Sequence, residues 1–222
     1  MSRTFVRACT RTRTAAALLA ATLGALAPLS ACSDSTNAST GSVSLLLTDA
    51  PGDFTHAVVT ISQIYLQGSS GRVVLLDTAV TTDLLTLANS TAELVKDAVV
   101  PAGKYNELRF VVTGGYIEVE NPDGSTSIYA SSPTYAGLPD GAHVTGTLQM
   151  PSYAQTGIKV TMPGNALTVS GDQKVLLVDF DVSQSFGQLA GGSGTWVMNP
   201  VITGGDIQMS GGLTVSLALD AG

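Results

Sequence analysis

The chain has 222 residues, enough for one large β-rich domain, and its composition excludes global disorder because 44% of the residues are hydrophobic and only 12% are charged. Its formal net charge is −7, which argues against nucleic-acid binding, since that affinity depends on neutralising phosphates with Lys and Arg. Val, Leu, Ile and Thr carry most of the pattern, and they favour strands over helices.

The first 31 residues have the three-part layout of an export signal. Four arginines lie in the first 13 residues, an apolar stretch follows over residues 15–29, and small residues then lead to Cys32. This order is typical of a secretory signal, and the apolar stretch is shorter and richer in Ala than a transmembrane span, which needs about 20 apolar residues. We therefore expect residues 1–31 to be removed as a signal peptide.

The sequence at the end of this signal, Leu29-Ser30-Ala31-Cys32, resembles a bacterial lipobox. In proteins of that class the cysteine thiol receives a diacylglyceryl group, the signal peptidase cuts before the cysteine, and the new amino terminus is acylated, commonly with palmitate. The resemblance implies cleavage between Ala31 and Cys32, and a covalent lipid on Cys32 as the membrane anchor. The alternative is an ordinary secretory signal with a chance cysteine after the cut.

The mature chain that this cleavage would leave begins with a short polar tether over residues 32–41. Ser33 rather than Asp follows the cysteine, which is compatible with sorting to an outer membrane if the organism has one. Cys9 leaves with the signal, so the domain has no intramolecular disulfide and depends on its core. The mature chain would contain six Lys and Arg residues and 17 Asp and Glu residues. Its net charge of −11 argues against electrostatic docking to anionic lipids.

Short β-type runs separated by turn residues predict a single β-rich domain over residues 42–222. The predicted strands cover residues 42–48, 57–66, 72–76, 105–112, 116–120, 125–129, 144–148, 157–162, 174–182, 195–202 and 213–219. Turn residues at 68–71 and 121–124 predict two hairpins, and a further turn or bulge is predicted at 191–194. The pattern favours an antiparallel β-sandwich or a partly open barrel.

Two segments between the predicted strands have a different character. Ser90 and Glu93 fit a capping box and predict one short helix over residues 91–99. Residues 131–141 combine Ser, Pro and Gly and predict a long loop.

A set of ordered stretches along the domain carries a family resemblance. They are Leu47-Thr-Asp-Ala-Pro51 with Asp53, Val59-Thr-Ile-Ser62, Pro101-Ala-Gly-Lys-Tyr105 leading to 108–110, Pro151-Ser152 with Gly157-Ile-Lys-Val160, 176–183, and Asn199-Pro-Val-Ile202. In this order and spacing, over roughly residues 41–205, they resemble a bacterial lipoprotein domain of unknown function, number 4382 in that series. The resemblance implies an extracytoplasmic β-rich domain, often lipidated, and supplies no catalytic residues.

Four carboxylates form a candidate metal site. Asp49 and Asp53 bracket a predicted turn, while Asp179 and Asp181 lie two apart, so on a strand they face the same side. If these segments met, their oxygens would suit Ca²⁺, which prefers oxygen ligands. The alternative is that Asp49 accepts hydrogen bonds in its own turn and the other two lie on a solvent face.

Other kinds of site receive less support from the sequence. The two histidines, His56 and His143, do not provide a usual zinc ligand set without a free cysteine. No Gly-x-Ser-x-Gly motif is present, Ser152 lacks an evident base, and nothing supports the separation that a glycosidase pair drawn from Asp140 and Glu118 or Glu120 would need.

Aromatic residues in or near the predicted loops make binding the favoured class of function. Tyr129, Tyr135, Tyr153 and Trp196 could stack on sugars or bury at a protein interface, or could fill the core and edges of the sheets. The sequence thus predicts a lipid-anchored envelope protein that is not an enzyme and whose β-rich domain either binds a protein or glycan or has a structural role in the envelope. A hydrolase and a calcium-stabilised adhesion module are the alternatives.

Overall fold

The structure is a computed structural model that describes residues 39–50, 53–151, 153–188 and 194–207. The predicted signal peptide, Cys32, most of the tether, Ser152, most of the predicted turn at 191–194 and the predicted strand at 213–219 lie outside these ranges. The described residues form two β-sheets with only short helices, which confirms the predicted β-sandwich class.

The elements are numbered along the chain. The strands are β1 Thr40–Ala50, β2 His56–Gly68, β3 Gly71–Leu76, β4 Val80–Asp83, β5 Ala92–Pro101, β6 Gly103–Glu120, β7 Thr126–Ala130, β8 Val144–Gln149, β9 Ile158–Val160, β10 Leu167–Val169, β11 Gln173–Asp181, β12 Phe186–Gln188, β13 Thr195–Met198 and β14 Val201–Ile207. The helices are α1 Tyr153–Thr156 and α2 Val182–Ser185, with 3₁₀ turns at Leu84–Leu87 and Pro163–Asn165. None of these described helices has the length and apolar run that crossing a bilayer requires.

The first sheet has the strand order β14-β11-β1-β5. Its inner strand β1 pairs with β11 in parallel and with β5 antiparallel. Val43, Leu45 and Leu47 of β1 are fully buried, as the alternation in the sequence predicts. The period of two turns this face of β1 toward the second sheet, where the core of the domain lies.

The second sheet has the order β12-β13-β8-β7-β6-β2-β3; in addition, β4 pairs with β2, and β9 and β10 pair with β6. The two predicted hairpins are confirmed as β2–β3 and β6–β7. Two pairs, β7–β8 and β8–β13, are parallel, so both sheets are mixed rather than purely antiparallel.

One long strand replaces two predicted ones in this sheet, because β6 runs unbroken through Gly114 and Gly115. A Cβ on Gly114 would lie 2.7 Å from the ring of Tyr135, and a Cβ on Gly115 would lie 2.6 Å from the carbonyl oxygen of Val58. These glycines are therefore places of close approach within a strand and not a turn. Tyr135 belongs to the predicted loop after β7, which is confirmed and lies over a small apolar cluster that includes Val58 and Tyr116.

The helix predicted over residues 91–99 is wrong, because this segment is strand β5. The Ser90 hydroxyl donates to the carbonyl of Thr86 and does not cap a following helix. Val95 and Val100 are β-branched and buried against β1, and this pairing outweighs a local capping signal. The strand keeps an irregularity at Asp97, whose φ of 46° coincides with a shift in register.

The two sheets are joined by backbone hydrogen bonds along one side. Thr161, just after β9, donates its N–H to Ile202 at 3.0 Å and accepts from the N–H of Gly204 at 2.8 Å. This bridge connects β9 of the second sheet to β14 of the first. On the opposite side the edge strands β3 and β5 pack beside one another.

We expect Gly115→Ala to destabilise the domain by about 1–3 kcal/mol, because the added methyl group would have to displace the backbone of β2. Chemical denaturation monitored by tryptophan fluorescence measures the change. Gly103→Ala is the matched control on the same strand, since a Cβ there meets nothing within 4 Å. Equal stability of the two variants would contradict the close approach at Gly115.

Candidate functional site

The predicted carboxylates lie where β1 and β11 end side by side. The parallel register pairs Asp49 with Phe180, and Thr48 with Asp179. Paired residues of a parallel sheet point to the same side, so Asp49 lies on the inner face with Phe180, and Asp179 lies on the outer face. The Asp49 carboxylate is buried and accepts the N–H of Val182 at 3.1 Å. Asp49 thus holds the start of α2 against the end of β1.

Asp181 caps the same end of α2 through a different backbone N–H group. Its carboxylate accepts hydrogen bonds from the Ser183 hydroxyl at 2.6 Å and from the Gln184 backbone N–H at 3.0 Å. Burial acts to raise the pKa of Asp181, but these bonds together with the Gln184 side chain outweigh it and lower the pKa. The carboxylate therefore stabilises the helix start in its ionised form.

Asp179 has the opposite environment, although it faces the same side of the sheet. Its Oδ1 atom is buried and has no hydrogen-bond partner among the described residues. Burial, and secondarily the negative charge of Asp181, raise the pKa of Asp179. The spacing of two residues that places both carboxylates on one face thus leaves Asp179 as the less favourable of the two charges.

The structure does not bring the four carboxylates together. Asp53 is exposed in the connection between β1 and β2, and Asp49 is separated from Asp179 and Asp181 by the sheet itself. Within the described ranges, no three His, Cys, Asp or Glu side chains gather closely enough to hold a metal ion. The alternative is met only in part. Asp179 and Asp181 lie on the outer face, but the Asp179 Oδ1 atom is buried, and Asp49 accepts its hydrogen bond from Val182 and not from its own turn.

The aromatic residues expected in loops mostly fill gaps in the sandwich. The Tyr153 hydroxyl donates to the carbonyl of Met198 at 3.0 Å, and the Tyr135 hydroxyl bonds to Thr60 at 2.6 Å. Burial raises the pKa of both phenols. Neither side chain forms an open stacking platform.

Trp196 and Tyr129 belong to a cluster of four rings on the inner face of the second sheet. Trp196 lies 5.8 Å from Tyr129 and 5.6 Å from Phe54, which in turn lies 5.7 Å from Phe186, all between ring centroids. Such tilted and edge-to-face contacts stabilise the end of a core. The Trp196 Nε1 atom is buried and finds no acceptor in the described part of the chain.

The two histidines lie apart from each other. His56 Nδ1 donates to Asp83 at 2.5 Å, and the second oxygen of Asp83 accepts the backbone N–H of Ala57 and of Leu85. Asp83 caps the 3₁₀ turn at Leu84–Leu87, a role that its place before Leu-Leu-Thr-Leu could have indicated from the sequence. His143 is exposed in the loop after β7.

A cleft of about 240 Å³ opens between the sheets beside β14. Four of its lining side chains are large and apolar and come from distant parts of the chain: Leu108, Met162, Leu167 and Leu176. Its polar side chains are Thr168 and Asp206, and Asp206 is paired with Lys174 at 3.5 Å. Sequence reasoning missed this cleft because no local motif marks residues that only the packing of two sheets brings together.

Comparison with known proteins identifies a family. Residues 40–200 match the family model described as "Domain of unknown function (DUF4382)". No curated protein and no solved structure matches the chain significantly. The matched range begins with β1 and ends at the connection to β14, so it covers most of both sheets.

We expect opposite effects from removing the two neighbouring charges on β11. Asp179→Asn should stabilise the domain at pH 7 by about 1 kcal/mol, because it removes a poorly solvated charge. Asp181→Ala should destabilise it by about 1 kcal/mol through loss of the helix cap. Thermal unfolding of both variants and the parent checks the signs.

The pH dependence of the two variants supplies the control. The raised pKa of Asp179 means that its protonation favours the folded state. Its ionised carboxylate therefore lowers the free energy of unfolding, and this effect grows as pH rises from the pKa of the unfolded state through the raised pKa of the folded state. The gain in Asp179→Asn should therefore vanish below that window. Because the pKa of Asp181 is lowered in the folded state, its ionised carboxylate stabilises the domain. This stabilisation is fully present above the pKa of the unfolded state and is lost as pH falls through the lower pKa of the folded state. A gain in Asp179→Asn that persists in acid would refute the electrostatic cause.

Proposed function

The chain belongs to the DUF4382 family, and from that premise we propose that it is an exported bacterial lipoprotein, anchored through lipid on Cys32, whose β-sandwich binds an extracytoplasmic protein or glycan. Its place is the cell envelope, on the outer membrane where the organism has one. The domain acts by binding or by an envelope-structural role and not by catalysis.

The observation that carries the proposal is the position of Cys32 relative to the fold. Cys32 directly follows an export-type signal and precedes the first residue of β1, Thr40, by only eight positions. A chain of eight residues spans at most about 29 Å. A lipid on Cys32 would therefore hold the sandwich close to the membrane, because β1 is an inner strand of its sheet and cannot detach without unfolding it.

The side chains that line the cleft support binding over hydrolysis. Its polar lining side chains are an ion-paired carboxylate and a threonine, and His56 pairs with Asp83 elsewhere in the domain. A hydrolase needs a nucleophile, a base and an orienting group within hydrogen-bond reach of one another. The largely apolar cleft suits the burial of an apolar group of a ligand instead.

The lipid anchor is tested by replacing one cysteine at a time in a bacterium that processes lipoproteins. We expect the parent protein and Cys9→Ser to incorporate labelled palmitate and to fractionate with membranes, because Cys9 lies in the removed segment. Cys32→Ser should lose the label completely. Mass spectrometry of the membrane-extracted protein should show an acylated Cys32 as the first residue.

Two results would contradict the proposal. One is an unmodified mature amino terminus at a position other than Cys32 in the parent protein. The other is an equal incorporation of palmitate in Cys32→Ser, which would place the lipid elsewhere. A melting temperature unchanged between the released domain of Cys32→Ser and the parent is the control for folding.

A further inference from the structure

The outer edge of β14 is open along the part of the strand that ends at Ile207. β14 is the last strand of the first sheet, and β11 pairs with its other side. Within the described ranges this outer edge is paired only where Thr161 accepts the N–H of Gly204 and donates to the carbonyl of Ile202. An edge of this kind presents backbone N–H and C=O groups to which another strand can bind.

The bonds to Thr161 fix which backbone groups of β14 point outward. In an antiparallel pair the N–H and C=O of one residue point to the same side, and this side alternates from each residue to the next. Since Ile202 and Gly204 direct these groups away from β11, Asp206 does so as well. The side chain of Asp206 lies on the inner face, because Asp206 pairs with the core residue Leu176. Asp206 therefore offers its backbone N–H and C=O to a strand added at this edge.

The apolar cleft described above lies next to the same edge. Gly204, Gly205 and Asp206 of β14 form one of its walls, opposite large apolar side chains of other elements. Its volume of about 240 Å³ is larger than a cavity of about 150 Å³, which is enough for one benzene-sized group. A strand added to β14 would thus have room to place one or two apolar side chains in the cleft.

The residues that follow β14 have the pattern of such a strand. Residues 213–219, Leu-Thr-Val-Ser-Leu-Ala-Leu, alternate large apolar residues with small or polar ones, which is typical of a strand with one buried face. Gly211 and Gly212 precede them, and two glycines suit the positive φ angles of a two-residue hairpin turn. The sequence therefore predicts a hairpin that leads from β14 into residues 213–219.

The register of this hairpin agrees with both constraints at β14. A two-residue turn joins the residues that flank it by hydrogen bonds, and every second pair beyond them is hydrogen-bonded too. Counted back from a turn at Gly211 and Gly212, Asp206 meets Leu217 in such a pair. This is the pairing that the outward backbone groups of Asp206 require, and it places Leu217 on the inner face. A register shifted by one residue would direct the apolar side chains to solvent.

We propose that residues 213–219 add a further strand to the first sheet, antiparallel to β14, and that Leu217 closes the cleft. The pairing stops at Gly204, because Thr161 already binds its N–H. Thr214, Ser216 and Ala218 then lie on the outer face, which suits small and polar side chains. The inference goes beyond the proposed function, since a ligand that uses the cleft would have to displace a segment of the same chain.

Disulfide formation tests the register. Gly205 and Ala218 would form the adjacent pair without mutual hydrogen bonds, whose Cα atoms lie about 4.5 Å apart, a distance that a disulfide can span. A Cβ on Gly205 meets nothing within 4 Å, so a cysteine fits there. The native cysteines of the full chain, Cys9 and Cys32, are first replaced by Ser. We then expect Gly205→Cys with Ala218→Cys to form an intrachain disulfide nearly completely under mild oxidation. Gly205→Cys with Leu219→Cys is the matched control and should stay reduced, because the neighbouring side chain points to the other face.

A pair of serine variants tests whether the segment occupies the cleft. Leu217→Ser should lower the melting temperature by about 3–6 °C, the shift expected when one large apolar side chain is lost from a core of this size. It should also make Met162, which lines the cleft, oxidise severalfold faster with hydrogen peroxide. Met198 is fully buried and serves as the internal reference. Ala218→Ser, on the outer face, should change neither quantity.

Three results would overturn the proposal. Equal disulfide formation in the two cysteine pairs, or none in either, would contradict the register. A disulfide between two molecules would assign the edge of β14 to a second copy of the chain. Equal melting temperatures and equal oxidation of Met162 in Leu217→Ser and Ala218→Ser would show that Leu217 does not cover the cleft. These measurements need no lipid, so they are independent of the palmitate test of Cys32.

Discussion

The parallel pairing of β1 with β11 is the contact on which the rest of the domain depends. It joins nine residues from each strand across about 130 positions of sequence, and it makes β1 an inner strand of the first sheet. The register turns Leu45 and Leu47 toward the core and pairs Asp49 with Phe180. A slip of one residue would expose this face and bury the polar one, because side chains alternate with a period of two. Because residues 33–222 contain no cysteine, the domain has no internal disulfide, and this register and the core behind it supply its stability.

The same pairing places Asp49, Asp179 and Asp181 together at the end of the sandwich opposite to the start of β1. Asp49 and Asp181 cap α2 and so fix the connection from β11 to β12. Carboxylates that looked like a metal site in the sequence are thereby divided between an inner and an outer face.

Local patterns predicted most strands but failed where a distant partner decided the outcome. The alternation in β1 and the turns of the β2–β3 and β6–β7 hairpins depend on neighbouring residues, and these predictions are confirmed. The capping signal at Ser90 is also local, yet β5 forms because β1 offers Val95 and Val100 a buried surface. Gly114 and Gly115 suggested a break by the same local logic, whereas packing against Tyr135 and β2 uses them inside a strand. The cleft beside β14 had no sequence signal, since its walls come from both sheets.

The sequence by itself determined the β class of the domain, its family, and a single cysteine at the start of the expected mature chain, because composition, ordered motifs and spacing are properties of the chain alone. It did not determine which carboxylates would meet, or which side chains would line the cleft beside β14. Only the tertiary structure decided these points, since the register between β1 and β11 and the packing of the two sheets bring residues together irrespective of their separation in sequence.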